Sequence, residues 1–344
     1  MIPDRGVIQQ PLITVCIANY NGMAIVNDCI RSVIGQQGDF ATEILVHDDA
    51  STDGSADYVR TNYPSVKLIP SEINVGFCIA NNRMAAAATG QYLLLLNNDA
   101  TLLPDALQTL LTDANRTGLP AILTLPQYDA TTEELVDRGC LLDPFFNPVP
   151  NLDPKRTDVA MVIGACLWIP KSLWVELEGF PDWFESIAED MYLCCRARLA
   201  GHPVRALTTS GYRHWQGKSF GGNKMEGSRM VTTYRRRALS ERNKTFVMLV
   251  SLPFVLLVIH IPVHLLALSL EAALLSISQC SITPCSQIYA PLLPDLWRSQ
   301  MKLRSLRREM QTRKTLSICD FLIPFQWLPW KLQILFKYGV PFVR

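Results

Sequence analysis

What this sequence lacks narrows its chemistry before any motif is read. No Gly-x-Gly-x-x-Gly follows the first apolar strand and no phosphate-loop signature occurs, which disfavours a dinucleotide oxidoreductase and a P-loop kinase. The ten cysteines (Cys16, Cys29, Cys78, Cys140, Cys166, Cys194, Cys195, Cys280, Cys285 and Cys319) form no Cys-x-x-Cys pair suited to zinc. They sit mostly among apolar neighbours and read as reduced core thiols of the cytosol. Neither sign of charge dominates: 32 Lys and Arg face 31 Asp and Glu, a net charge of +1 that gives no signal for a nucleic-acid partner. The opening "MIPDRGVIQQ" has neither the basic segment nor the apolar run of a secretory signal, so the first domain is expected to stay where it is made. Internal repeats and low-complexity tracts are absent as well.

A further absence is local. Residues 245–270, "TFVMLVSLPFVLLVIHIPVHLLALSL", contain no Asp, Glu, Lys or Arg. Such a run is long enough to cross a hydrocarbon core of about 30 Å, although Pro253, Pro262, His260 and His264 argue against a straight span. Arg229, Arg235, Arg236, Arg237, Arg242 and Lys244 precede it, and a second basic group between Arg298 and Lys314 follows. Positive flanks favour the cytoplasmic side. A single crossing would separate them, whereas a hairpin or an in-plane segment would keep both at the cytoplasmic face of the membrane. The later "FLIPFQWLPWKLQILFKY" mixes aromatic and apolar residues with lysines and suits an interfacial helix. The plainer alternative is a soluble helical subdomain packed on the core. The composition changes near Asn243, which divides the chain into residues 1–243 and an apolar, basic helical region, residues 244–344.

What is present upstream is an alternation. "LITVCIANY", "EILVHDDASTDGS", "VKLIP" and "QYLLLLNND" each carry an apolar β-forming run, and helix-like stretches separate them: residues 23–34, "ADYVRTNY" and "FCIANNRMAAAAT". That order predicts an α/β fold with a parallel sheet covered on both faces. In such sheets ligands bind beyond the carboxyl ends of the strands. The polar clusters at residues 19–21, 47–49 and 97–99 end three of these strands and are expected to meet at one edge. The proline-rich stretch 127–157 predicts a long irregular loop beside the site, "VAMVIGACLWIP" a further strand, and "GFPDWFESIAEDMYLCCRARLAG" a helix after Ser186.

The motifs "VCIANYNG", "VHDDASTDGS", "NVGFCIANN", "LLLLNNDA", "GACLWIP" and "GFPDWFESIAEDMYLCCR", in this order over about residues 10–245, resemble the family 2 glycosyltransferases. The trailing "HWQGKS" and "RRRALSERNK" resemble the bacterial rhamnosyltransferase-type members that build surface polysaccharides. The resemblance implies a GT-A fold, inversion at the sugar, a nucleotide-sugar donor (dTDP- or UDP-linked) and Mg²⁺ or Mn²⁺. It implies a lipid-linked or polysaccharide acceptor, which would explain an enzyme docked on a membrane surface. L-rhamnose from dTDP-rhamnose is the expected donor; a UDP-hexose or UDP-N-acetylhexosamine, or an inactive sugar-nucleotide-binding partner, remains the alternative.

The same resemblance assigns roles. Asp99 occupies the last acid of the family's metal-binding motif, with Asn97 and Asn98 in place of the earlier acids. Asn98 is then a ribose contact and His214 a second metal contact, a role neutral imidazole can fill. By itself, Asp99 would be read as a cap for the helix near Pro104. Asp48 is the expected partner of the nucleotide base, flanked by Ala18, Asn19 and Tyr20; Asn82 is a lesser donor-side candidate. Asp190 is the expected general base, taking the acceptor's proton during attack, with Glu189 orienting the acceptor or raising that base's pKa. A glycosidase would need its two carboxylates on opposite sides of the bond, which neighbours in sequence do not obviously provide. Trp183 is either a stacking surface for an acceptor sugar or a core residue.

Overall fold

A computed structural model describes residues 11–215, 224–226 and 229–344, with residues 224–226 and 229 described by backbone alone. The first third alternates as the sequence predicts: β1 (Ile13–Asn19), α1 (Val26–Ile34), β2 (Thr42–Asp49), α2 (Ser55–Asn62), β3 (Lys67–Ser71), α3 (Phe77–Ala87) and β4 (Tyr92–Asn97). Shorter elements follow: β5 (Ala100–Leu102), α4 (Ala106–Thr117), β6 (Ile122–Thr124), β7 (Gln127–Asp129), β8 (Leu135–Asp137), β9 (Cys140–Leu142), β10 (Pro148–Pro150), β11 (Cys166–Pro170) and α5 (Lys171–Glu176). After these come α6 (Glu189–Leu199), β12 (Val204–Ala206), β13 (Tyr212–His214), β14 (Lys224–Glu226) and β15 (Arg229–Thr232). The chain finishes with α7 (Tyr234–Ser251), α8 (Phe254–Ser278), α9 (Leu292–Thr312), α10 (Ile318–Leu322), α11 (Trp330–Tyr338) and β16 (Phe342–Val343).

The main sheet has the order β12-β6-β11-β4-β1-β2-β3. Strand β4 is its centre; β1 beside it is parallel to both β4 and β2, and β2 is parallel to β3. The four leucines of β4 alternate between its faces: Leu93 and Leu95 join one core, Leu94 and Leu96 the other. All four are at most 2% exposed, so this strand is covered on both sides as its unbroken apolar run requires.

The expected all-parallel sheet is in fact mixed, because β11 runs antiparallel to both β4 and β6. The reason lies in the path of the chain. Cys166 opens β11 opposite Leu96, near the carboxyl end of β4, so the strand enters at the ligand edge and must run back. It is also shorter than "VAMVIGACLWIP" suggested, starting at Cys166. The stretch 127–157 is not irregular throughout. Strands β7 and β8 join a second sheet of order β5-β13-β7-β8, and β9 pairs with β10, where Pro148 and Pro150 are tolerated in a two-stranded ribbon. Seven of the cysteines are free and buried as expected, whereas Cys280 and Cys319 are exposed.

Helix α7 continues unbroken through residue 243 and lies against α6 and α9. Pro253 ends the first piece of the apolar run, since proline lacks the N–H that would continue it, and α8 begins at Phe254. Helix α8 is long and apolar enough to cross a membrane, with 25 residues of mean hydropathy 2.0. One stripe of it, Leu257, His264, Leu268, Ala272 and Leu275, is buried against the rest of the protein. The opposite face is bare: Phe254 is 71% exposed, Val255 75% and Ile259 69%. Three helices are tied by ions. Glu241 of α7 faces Arg237, Lys244 and Lys331 at 3.2, 3.1 and 2.8 Å, and Glu271 of α8 faces Lys331 of α11 at 2.6 Å.

Candidate active site

The three polar strand ends do converge. Register places Asn19 opposite Asp48, and Asn97 opposite Ala18. Asn98 donates from Nδ2 to Asn19 Oδ1 at 2.9 Å, and Asn19 in turn donates to Asp48 Oδ1 at 2.9 Å. A Cβ on Gly22 would stand 2.1 Å from Asn19 Oδ1 and 2.5 Å from Asn98 Nδ2, so only glycine lets the turn after β1 pass over this amide chain. Asp48 is buried, and its Oδ2 accepts from the Ser51 N–H at 3.1 Å. Asp53 closes the turn, accepting from the N–H groups of Ser55 and Met23 at 3.0 and 2.8 Å. Beside this cluster Ala18 is half-buried and Tyr20 is 50% exposed.

Asp99 is 1% exposed and does not cap α4, whose N-cap is Asp105. Its Oδ1 instead lies 3.0 Å from Nε2 of His214. Pairing of β13 with β5 brings the two together, since His214 sits opposite Ala100. His214 Nδ1 is buried and, among the described residues, has no hydrogen-bond partner, an atom that an ordinary packed histidine would have satisfied. One carboxylate oxygen and one imidazole nitrogen 3.0 Å apart match the spacing of neighbouring ligands around an ion bound at about 2.1 Å. The pair thus fits part of a divalent-ion site, with the other positions left to a ligand's oxygens. Of "HWQGKS", only His214 and Trp215 lie within the described residues.

Glu189 and Asp190 form the first turn of α6, both buried. Asp190 Oδ2 accepts the Gly164 N–H at 2.9 Å and Oδ1 the Met191 N–H at 2.7 Å. Burial raises the Asp190 pKa above the usual carboxylate range, and these N–H groups partly oppose it. Glu189 is raised well above its ordinary value by burial and then by the charge of Asp190, and its Oε2 is buried without a hydrogen-bond partner among the described residues. The approach to this turn is strained: Glu185, Ile187 and Ala188 all have positive φ, at 66°, 70° and 64°. Asn243 of α7 holds that segment, with Nδ2 facing the carbonyls of Phe184, Ser186 and Ile187 at 2.9, 3.0 and 2.7 Å. Helix α7 is therefore part of the site's scaffold.

Glu189, Asp190 and His214 line a single cavity of about 830 Å³. The other expected residues, Ala18, Asn19, Tyr20, Asp48, Asn82, Asn98, Asp99 and Trp183, lie off its walls, and two of them are engaged away from the strand ends. Trp183 packs against Phe184 and Phe246 with Lys302 over its ring, the core alternative rather than an open stacking surface. Asn82 spends its amide locally, donating to Phe180 and Asp182 at 2.8 and 2.7 Å and accepting from the Phe180 N–H. Sequence reasoning missed Gly164, whose signal lay only in "GAC", and Arg236, which lines the cavity but was read as one of a row of flanking charges.

Residues 14–172 match the family model described as Glycosyl transferase family 2. Over 105 residues the chain is 36% identical to the uncharacterized glycosyltransferase YibD of Escherichia coli (strain K12), covering 30% of each protein. It is 26% identical over 214 residues to the O-antigen chain rhamnosyltransferase WbaN of Salmonella anatum, covering 59% of this chain and 66% of that relative. The chain thus spans less than two thirds of either relative. Among solved structures, that of GalNAc-T7 with UDP, GalNAc and Mn²⁺ aligns with TM-score 0.55 at 17% identity, covering 70% of this chain and 48% of that one, a likeness of fold. Residues 14–172 thus match glycosyl transferase family 2, and the mixed seven-stranded sheet with its helical C-terminal region is a GT-A fold.

Proposed function

We propose that the protein is an inverting, metal-dependent glycosyltransferase that works at the cytoplasmic face of a membrane, with Asp190 as general base. The observation that carries this reading is the joint opening of Asp190 and His214 onto one cavity at the carboxyl edge of the sheet. Asp190 takes the proton of the acceptor hydroxyl as its oxygen attacks C1 of the donor sugar, opposite the departing nucleotide diphosphate. The raised pKa of Asp190 makes its carboxylate a stronger proton acceptor than an exposed one. Asp99 and His214 would hold Mg²⁺ or Mn²⁺, which supplies charge stabilisation to the leaving diphosphate when bound. The buried line Asn98–Asn19–Asp48 presents the nucleotide end, with Tyr20 at its rim.

The sugar proposed is L-rhamnose from dTDP-rhamnose, in keeping with the motifs and with the relative's name. Membrane association rests on the bare face of α8 and on α11, where Phe336 is 86% exposed. Because α7 and α9 run beside each other, the two basic flanks stay together, which favours an in-plane or hairpin placement over a single crossing. The test is calorimetry of the full chain with dTDP-, UDP- and GDP-sugars in Mn²⁺. dTDP-rhamnose is expected to bind, and excess chelator to abolish binding. Tighter binding of a UDP-hexose would replace the donor, and binding of no nucleotide sugar would remove the proposal.

A further inference from the structure

Among the residues that line the cavity, His214, Glu189 and Gln127 each bury a polar atom with no hydrogen-bond partner among the described residues: Nδ1, Oε2 and Nε2. The proposed reaction gives His214 and Glu189 their work. Gln127 has none assigned, although it is 0% exposed. It opens β7, and register sets it between Tyr212 of β13 and Asp137 of β8. Tyr212 donates its O–H to Gln127 Oε1 at 2.7 Å. Burial first, and the charges of Asp137 and Asp190 among others, raise the Tyr212 pKa well above its ordinary value, so the phenol keeps the proton it donates. That bond fixes which way the amide is turned and leaves Nε2 as its open end. Asp137, the neighbour on the other side, accepts from the Gly139 N–H at 3.0 Å.

A buried amide N–H without a partner costs free energy, and an apolar side chain of the same shape would fill this place without that cost. The open end is therefore matched to something that enters the cavity. Its position says what. The Tyr212 and His214 rings are 6.4 Å apart between centroids, and Asn97, two residues before Asp99, lines the cavity as well. On the other side, the Tyr212 hydroxyl lies near enough to Asp190 to feel its charge. Gln127 thus stands between the proposed metal contacts and the proposed base. In an inverting transfer C1 of the donor sugar must lie between the departing diphosphate and the attacking hydroxyl, so the sugar itself occupies that interval.

We infer that Gln127, held by Tyr212, determines specificity for the transferred sugar, with Nε2 donating to one of that sugar's hydroxyl oxygens. The inference rests on the proposed transferase reading and deepens its donor end. A site built to bond a hydroxyl discriminates against the sugar that lacks it, because the amide is then left unpaired.

The test is calorimetry of the full chain in Mn²⁺ with dTDP, dTDP-rhamnose and its 2-, 3- and 4-deoxy analogues; where a UDP-hexose is the sugar bound, UDP and the monodeoxy forms of that hexose take their places. One deoxy analogue is expected to bind the parent chain about tenfold or more weakly than the complete sugar. Gln127→Leu should bind the complete sugar as weakly as the parent binds that analogue and should no longer distinguish the two, while dTDP binds parent and variant alike. Gln127→Glu keeps the shape and the bond from Tyr212 but replaces the donor by an acceptor, and should give the same pattern, so the outcome does not depend on the leucine variant folding. A variant that still discriminates among the deoxy analogues as the parent does overturns the inference. So does one that weakens dTDP as much as dTDP-rhamnose, which would assign Gln127 to the fold or to the nucleotide end. A parent chain that binds a nucleotide sugar no better than its Gln127 variants refutes this inference alone, whereas one that binds no nucleotide sugar removes the transferase reading and this inference with it.

Discussion

Asp99 and His214 are 115 positions apart in sequence and 3.0 Å apart in space, and the spacing of residues gave no means of joining them. The residue types were legible: one carboxylate at a strand end, one imidazole, two adjacent acids. Their surroundings were not, because burial and partners are set by the whole fold. Glu189 shows what that adds. Folding raises its pKa well above 4.5, so the folded chain keeps a proton that the unfolded chain releases. Between about pH 4.5 and the raised folded value the folded state therefore binds more protons, and stability falls as pH rises through that window. Glu189→Gln is expected to be more stable than the parent at pH 7.5 and to lose this advantage near pH 4.5. Urea denaturation at both pH values checks this; an advantage of equal size at both would show that charge is not its cause.

At the scale of elements, local periodicity read well where strand and helix alternate, and β1 to β4 fall where the apolar runs put them. It failed where tertiary pairing decides. The direction of β11 depends on where the chain stands after residue 165, and β7 to β10 are too short to carry a period of their own. The shift in composition near Asn243 lies inside α7, and Asn243 itself holds the strained segment before Glu189. A change of composition marks a change of surroundings, which here occurs along one helix. Asn243→Ala should leave the carbonyls of residues 184, 186 and 187 without that partner and cost about 1–3 kcal/mol. It should also lower kcat more than it changes donor affinity, because the strained turn carries Glu189 and Asp190 but not the nucleotide end. Denaturation and initial rates together check this, and a variant with unaltered kcat would detach α7 from the site.

For the whole molecule, hydropathy located the apolar run but not its division at Pro253, nor the stripe of α8 that packs on the protein. On the proposed reading, the faces left bare by α8 and α11 are the contact with a lipid surface. Replacing Ile259 and Phe336, 69% and 86% exposed, by glutamate should leave the fold intact and abolish co-sedimentation with anionic vesicles. Undiminished sedimentation of that variant would remove these faces as the membrane contact. The central claim is that Asp190 takes the acceptor's proton in sugar transfer, and the initial rate of transfer from the nucleotide sugar selected by calorimetry, in Mn²⁺, tests it most directly. The account predicts that Asp190→Asn lowers kcat by about 10²–10⁴-fold with donor affinity intact; transfer at the parental rate by that variant would contradict it.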